Sequence, residues 1–263
     1  MLNMLRMDVR RLTRSKSFYL CLCILALLIM ICAISQNDAQ ISKGFTNELD
    51  TGHVIGVFTA LDCLITTPEA LLSGLGKTYI GLIFGIFLVL FVCEEYQCGY
   101  IKNSCMMYQN RNAIILNKFM VALFLSCFLV VFSAICVTLF GFLFIKQFHI
   151  GDMGVLLSYM GVLAIVLTAY HSLLICISTL SHQKTLGIVI VFLLSSAFIF
   201  MIIDPILINF HLLNIKSYLI TGMMSSLPMK FDAVISVRIL VMSMIYMITY
   251  TALSIVIIRR KDL

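Results

Sequence analysis

Six long apolar runs, almost free of charge, decide what this chain can become. They cover approximately residues 18–36, 78–93, 113–145, 154–180, 185–203 and 237–258. A helix of about 20 apolar residues crosses the hydrocarbon core of a bilayer. The runs predict an all-α membrane protein of six transmembrane helices, a single domain over residues 1–263. Composition agrees, with 62% hydrophobic and 11% charged residues against about a quarter charged in soluble domains. The third run is longer than a bilayer requires and should tilt or extend into water. The first is long for a signal-peptide core and is followed by no A-x-A-like site, so it is expected to stay as the first span.

Orientation follows from the basic residues. With the N-terminus inside, the inner segments carry Arg6, Arg10, Arg11, Arg14, Lys16, Lys102, Arg111, Lys118, Lys184, Arg259, Arg260 and Lys261. The outer segments carry Lys43, Lys77, Lys146, Lys216, Lys230 and Arg238. Acids run the other way, with only Asp8, Glu94, Glu95 and Asp262 inside. Both termini are thus expected in the cytoplasm of a multi-pass plasma-membrane protein.

Residues 1–17, MLNMLRMDVRRLTRSKS, place Leu2, Leu5, Val9 and Leu12 at helical spacing, and Arg6, Arg10 and Arg14 every fourth residue on a neighbouring face. This predicts an amphipathic interfacial helix whose bases, Arg11 included, lie near anionic lipid. The alternative is a plain positive flank that fixes the topology of the first span. On the outer side, residues 37–76 are polar, whereas residues 204–236, opening with Asp204-Pro205, are mostly apolar. That second segment is expected to re-enter the outer leaflet against protein.

Motifs that would carry chemistry are weak. SGLGKT at residues 73–78 ends like a phosphate-binding loop, but the first glycine of that pattern falls on Leu71 and no strand precedes it. HExxH and GxSxG are absent. The paired acids Glu94 and Glu95 invite comparison with intramembrane proteases of EExxxR type, yet the arginine position holds Gly99. The ten cysteines form no CxxC and no zinc spacing, and are read as small apolar residues. His171 within the fourth span and Asp204 at the end of the fifth are the candidate pathway groups, since ionisable residues in spans usually face protein or a cavity.

EEYQCGYIKN, residues 94–103, directly follows the second run. Tyr96 and Tyr100 lie four apart on one helical face. Glu95 and Lys102 lie two turns apart. Gly99 permits a bend from the membrane normal to its plane. The segment reads either as an aromatic knob ringed by charge that docks into a partner, or as a solvated loop whose charges mark the membrane edge. The acidic pair followed by Tyr-x-x-Gly-Tyr-Ile-Lys-Asn, together with the whole-chain layout, resembles permease subunits of bacterial ATP-binding-cassette (ABC) exporters with the type-two, ABCG-like membrane fold. The richness in cysteine and His171 depart from that pattern.

The resemblance implies a coupling helix between spans two and three that contacts an ATPase through Glu94, Glu95, Tyr96, Gly99, Tyr100, Ile101, Lys102 and Asn103. It implies two cytosolic ABC ATPase subunits, a second permease, identical or homologous, and membrane lipid as partners, with no nucleic acid. The chain itself would bind no cofactor; ATP and Mg would sit on the ATPase. Cargo would be amphipathic or hydrophobic, with membrane-active peptides such as bacteriocins or phenol-soluble modulins as the leading class. Two rivals remain from the residues alone. One is a stand-alone secondary transporter or channel using His171 and Asp204; the other is a membrane-embedded hydrolase using Glu94 and Glu95.

Overall fold

The computed structural model describes residues 2–45, 67–68, 72, 79–100, 111–145, 148–181, 183–195, 218–226 and 233–260. These form helices α1 (Leu2–Arg14), α2 (Lys16–Phe45), α3 (Gly81–Gln97), α4 (Arg111–Phe144), α5 (Met153–Ser181), α6 (Lys184–Ser195), α7 (Ile220–Ser226) and α8 (Ala233–Arg260). No strand occurs among the described residues. Among the described residues, four segments are long and apolar enough to cross a membrane: Lys16–Ile34, Asn112–Phe144, Met153–Ser181 and Val234–Arg259. The runs expected as second and fifth spans appear as the shorter helices α3 and α6. The remainder of the fifth run, residues 196–203, lies outside the described residues, as does most of the apolar outer segment with Asp204.

α5 is the hub, packing against α3, α4, α6, α7 and α8. Its buried serines and threonines bond back to carbonyls of their own helix, as a dry interior favours. Thr168 donates to the carbonyl of Ala164 at 2.7 Å, Ser172 to Ala169 at 2.7 Å and Ser178 to Leu174 at 2.8 Å. Small residues let backbones approach where no hydrophobic effect pulls helices together. Gly85 of α3 is such a point: a Cβ there would stand 2.9 Å from Val191 Cγ1 of α6 and 3.1 Å from Leu174 of α5. Gly187 of α6 returns the arrangement by receiving the side chain of Val89 from α3.

α1 and α2 are separated by one residue, Ser15. Its hydroxyl accepts the backbone N–H of Phe18 at 3.3 Å, capping the start of α2. The Phe18 ring then sits 6.3 Å from Phe84, 5.7 Å from Phe87 and 5.9 Å from Phe128, centre to centre. These rings pin the first turn of α2 between α3 and α4 and so fix where α1 departs.

Candidate functional site, an ion cluster where α1, α3 and α4 meet

α3 carries no charge from Gly81 to Cys93 and then ends in Glu94 and Glu95. Consecutive helical residues point about 100° apart, so the pair divides. The Glu95 side chain is 0% exposed, whereas Glu94 is 53% exposed at the rim. The helix then closes on a left-handed turn: Cys98 N–H donates to Glu94 O at 2.9 Å, and Gly99 has φ +69°. Only glycine takes that conformation without strain, and a Cβ at Gly99 would meet nothing within 4 Å. Position 99 thus calls for glycine by backbone angle; the segment beyond Tyr100, where the expected bend would lead, lies outside the described residues.

Glu95 is held from both neighbouring helices. Both of its oxygens lie 2.6 Å from Lys118 Nζ of α4. Arg11 of α1 lies 3.2 Å from Oε1. Lys118 also donates to Asp8 Oδ2 of α1 at 2.7 Å, and Asn117 Nδ2 donates to the same oxygen at 2.5 Å. Asp8 is 0% exposed, and Lys118 only 5% by side chain. Beneath the ions lies the ring of Phe91, with the Arg11 guanidinium 5.1 Å and the Lys118 ammonium 5.5 Å from its centre. Both distances suit cation–π attraction. Tyr100 closes the outer side: Arg11 stands 5.3 Å over its ring, and its hydroxyl lies 3.5 Å from Met7 Sδ of α1.

Burial pushes the Glu95 carboxyl above the ordinary carboxylate range. The Lys118 charge and hydrogen bond pull it back, Asp8 adds to the rise, and Arg11 opposes it. Two buried acids facing one buried base and one half-buried base make a nearly neutral set. Such a set tolerates burial, while losing one member leaves an uncompensated charge.

The expected surface residues fall into two groups. Arg6, Arg10 and Arg14 are exposed on one side of α1, as their spacing predicts. Arg11 departs from them and turns inward to Glu95 and Glu94. The apolar stripe is also rotated from the expectation. Met4, Asp8 and Leu12 form the buried line, Leu5 and Val9 are half-buried, and α1 packs on α4 and α2. Of the face expected on lipid, Leu12 is buried and Leu5 and Val9 are half-buried; the buried line runs through Asp8, whose partners Lys118 and Asn117 a lipid surface does not offer.

Of the predicted docking residues, Glu94 faces outward, Tyr96 and Tyr100 are half-buried, and Glu95 faces inward. Ile101, Lys102 and Asn103 lie outside the described residues, so the expected Glu95–Lys102 face cannot be placed; Glu95 takes Lys118 and Arg11 instead. His171 is fully buried between α4 and α5, with Nδ1 2.8 Å from Ser126 Oγ, which itself lies 2.8 Å from the carbonyl of Ala122. That contact ties α4 to α5, while Nε2 on the other side of the ring is buried with no hydrogen-bond partner among the described residues.

Sequence reading missed Asp8, Asn117 and Lys118. The available signal was Asp8 itself, the single acid of an otherwise basic helix, placed four residues from both Met4 and Leu12. At the far end of the chain, Arg259 Nε of α8 donates to Asn112 Oδ1 at 2.8 Å. α1 and the last turn of α8 therefore both meet the first turns of α4. No family model matches the chain, and no curated protein matches it.

Proposed function

We propose that this chain is the membrane-spanning subunit of an ATP-driven exporter, with six spans and both termini in the cytoplasm of a bacterial plasma membrane. It works with two separate ATPase subunits that hold ATP and Mg, and with a second permease, identical or homologous. Residues 94–103 form the docking element. ATP binding favours one arrangement of the ATPase pair, and that preference reaches the spans through the docked segment. The pathway lies between the two permeases, against spans two and five. The cargo is amphipathic or hydrophobic, with membrane-active peptides as the leading class.

The observation that carries this reading is the two-sidedness of residues 94–100. The inward side, Glu95, is tied to α1 and α4, while Glu94, Gln97 and Cys98 face outward beyond the last turn of a buried helix. A segment attached firmly to the bundle on one side and exposed on the other can transmit a push. The sequence pattern of EEYQCGYIKN supports the same role. That α1 and the end of α8 share one end of α4 supports placing both termini on one side of the membrane.

The test is purification of the tagged chain in mild detergent, expressed with its genomic neighbours. The reading expects a stoichiometric ATPase with a complete phosphate-binding loop, lost when Tyr96 and Tyr100 become Ala. A chain that purifies alone and transports without an ATPase would overturn it and return the carboxylates to chemistry or ion binding.

A further inference from the structure

The ion cluster that seats α1 depends on a count of charges. Asp8 and Glu95 are both closed to solvent, and both converge on the single ammonium of Lys118, at 2.7 and 2.6 Å. Two carboxylates on one ammonium leave one negative charge over. Arg11 supplies the balance, 3.2 Å from Glu95. Unlike Lys118 it reaches the rim, with 32% of its side chain exposed, and Glu94, itself at the rim, lies 3.8 Å away. Asp8 and Arg11 are one helical turn apart, so α1 brings both an acid and a base to the same seat. Asp8 Oδ1 receives no hydrogen bond among the described residues, so the set has no spare donor there to absorb a lost cation.

We propose that Asp8, Arg11, Glu95 and Lys118 form a charge-balanced latch holding α1 on the bundle, and that Arg11 is its release. α1 stays seated while Arg11 neutralises Glu95. When Arg11 is drawn off, Asp8 and Glu95 share one ammonium in a closed site and the seat of α1 fails. The inference rests on the packing of α1, α3 and α4, not on the transport reading, so either can fail without the other.

A simple packing seat, made by Met4 and Leu12, predicts that each lost contact weakens docking further. The latch predicts the opposite for one pair. Arg11→Gln leaves Asp8, Glu95 and Lys118 with one excess negative charge, and adding Glu95→Gln restores neutrality. The probe is a cysteine at position 4, a residue 1% exposed, in an otherwise cysteine-free full-length chain in opened native membranes. A membrane-impermeant maleimide reports its accessibility.

Arg11→Gln is expected to speed labelling about tenfold, a figure held down by the partial exposure of Arg11. The double variant Arg11→Gln/Glu95→Gln is expected to label close to the parent rate, a non-additivity that neighbours in one network show. Arg11→Gln/Asp8→Asn restores the count by the other acid and is expected to slow labelling likewise. The exposed neighbour change Arg10→Gln is expected to have no effect.

A double variant that labels as fast as Arg11→Gln, or faster, overturns the latch, and so does an Arg11→Gln rate equal to the parent's. Should the cysteine-free chain not insert, tryptic cleavage at Arg6 and Arg10 in the native-cysteine chain reads the same order of variants. Fast cleavage in Arg11→Gln that the second substitution does not reverse overturns the latch equally.

Discussion

Lys118→Met tests the cluster at its centre. The substitution keeps a long flexible side chain of similar volume and removes the ammonium that lies between two fully buried carboxylates. Removing one partner of a buried ion pair typically costs about 3–5 kcal/mol, chiefly because the other charge is stranded. Here two acids are stranded, while Arg11 and Asn117 compensate in part, so the same range of about 3–5 kcal/mol applies. At 2–4 °C per kcal/mol for a chain of this size, the melting temperature should fall by roughly 10 °C. Native cysteines provide the readout. Cys93, Cys136 and Cys176 are buried, so a thiol-reactive dye reports unfolding in detergent once accessible thiols are blocked. Replacing the set together, as Asp8→Leu, Glu95→Met and Lys118→Met, should recover most of the loss, since apolar residues of like size often substitute for buried ion sets at no net cost. A shift below about 2 °C for Lys118→Met alone would mean, on the same scale, that water reaches the carboxylates, and the buried-lock reasoning would be wrong.

Gly187→Ala should destabilise by about 1–3 kcal/mol, the range for overpacking, because Val89 occupies the space a Cβ needs; the same dye assay should show partial recovery in Gly187→Ala/Val89→Ala. Gly99→Ala should cost about 1–2 kcal/mol through its positive φ alone, and Gly99→Asn, which tolerates that region better, should cost less in the same melt. For pH, the raised Glu95 value sets the sign: between the ordinary carboxylate value and the raised one, the folded chain holds a proton that the unfolded chain has released. Stability of the wild type relative to Glu95→Gln should therefore rise as pH falls through that window, measured by paired melts from neutral to acidic pH; a relative stability that falls instead would contradict the assigned direction.

The helical class and the apolar runs are legible because lipid imposes length and composition on every spanning segment. Four of the six expected spans reappear as helices long and apolar enough to cross a membrane; for the other two, the described residues give only the shorter helices α3 and α6. The exposed row Arg6, Arg10 and Arg14 follows from spacing alone. The inner face of α1 was not legible, because an amphipathic pattern is scored by apolar residues and Asp8 interrupts it. Its partners, Asn117 and Lys118, lie 109 and 110 residues away. In the sequence Lys118 is one more inner positive charge, since nothing local marks a lysine that will meet two acids from other helices. Glu94 and Glu95 form one acidic pair in the sequence, yet the helix turns them to different sides.

That separation along the chain bears on how the protein is made. Translation at about 5–20 residues per second delivers Lys118 some 5–20 s after Asp8. Through that interval α1 has no Lys118 to meet, and for most of it no Glu95 either. Its leucines and arginines suit the surface of the bilayer at which α2 is being inserted. Assembly of the N-terminus therefore waits on the fourth helix: a chain stalled before residue 118 lacks the one ammonium on which Asp8 and Glu95 converge.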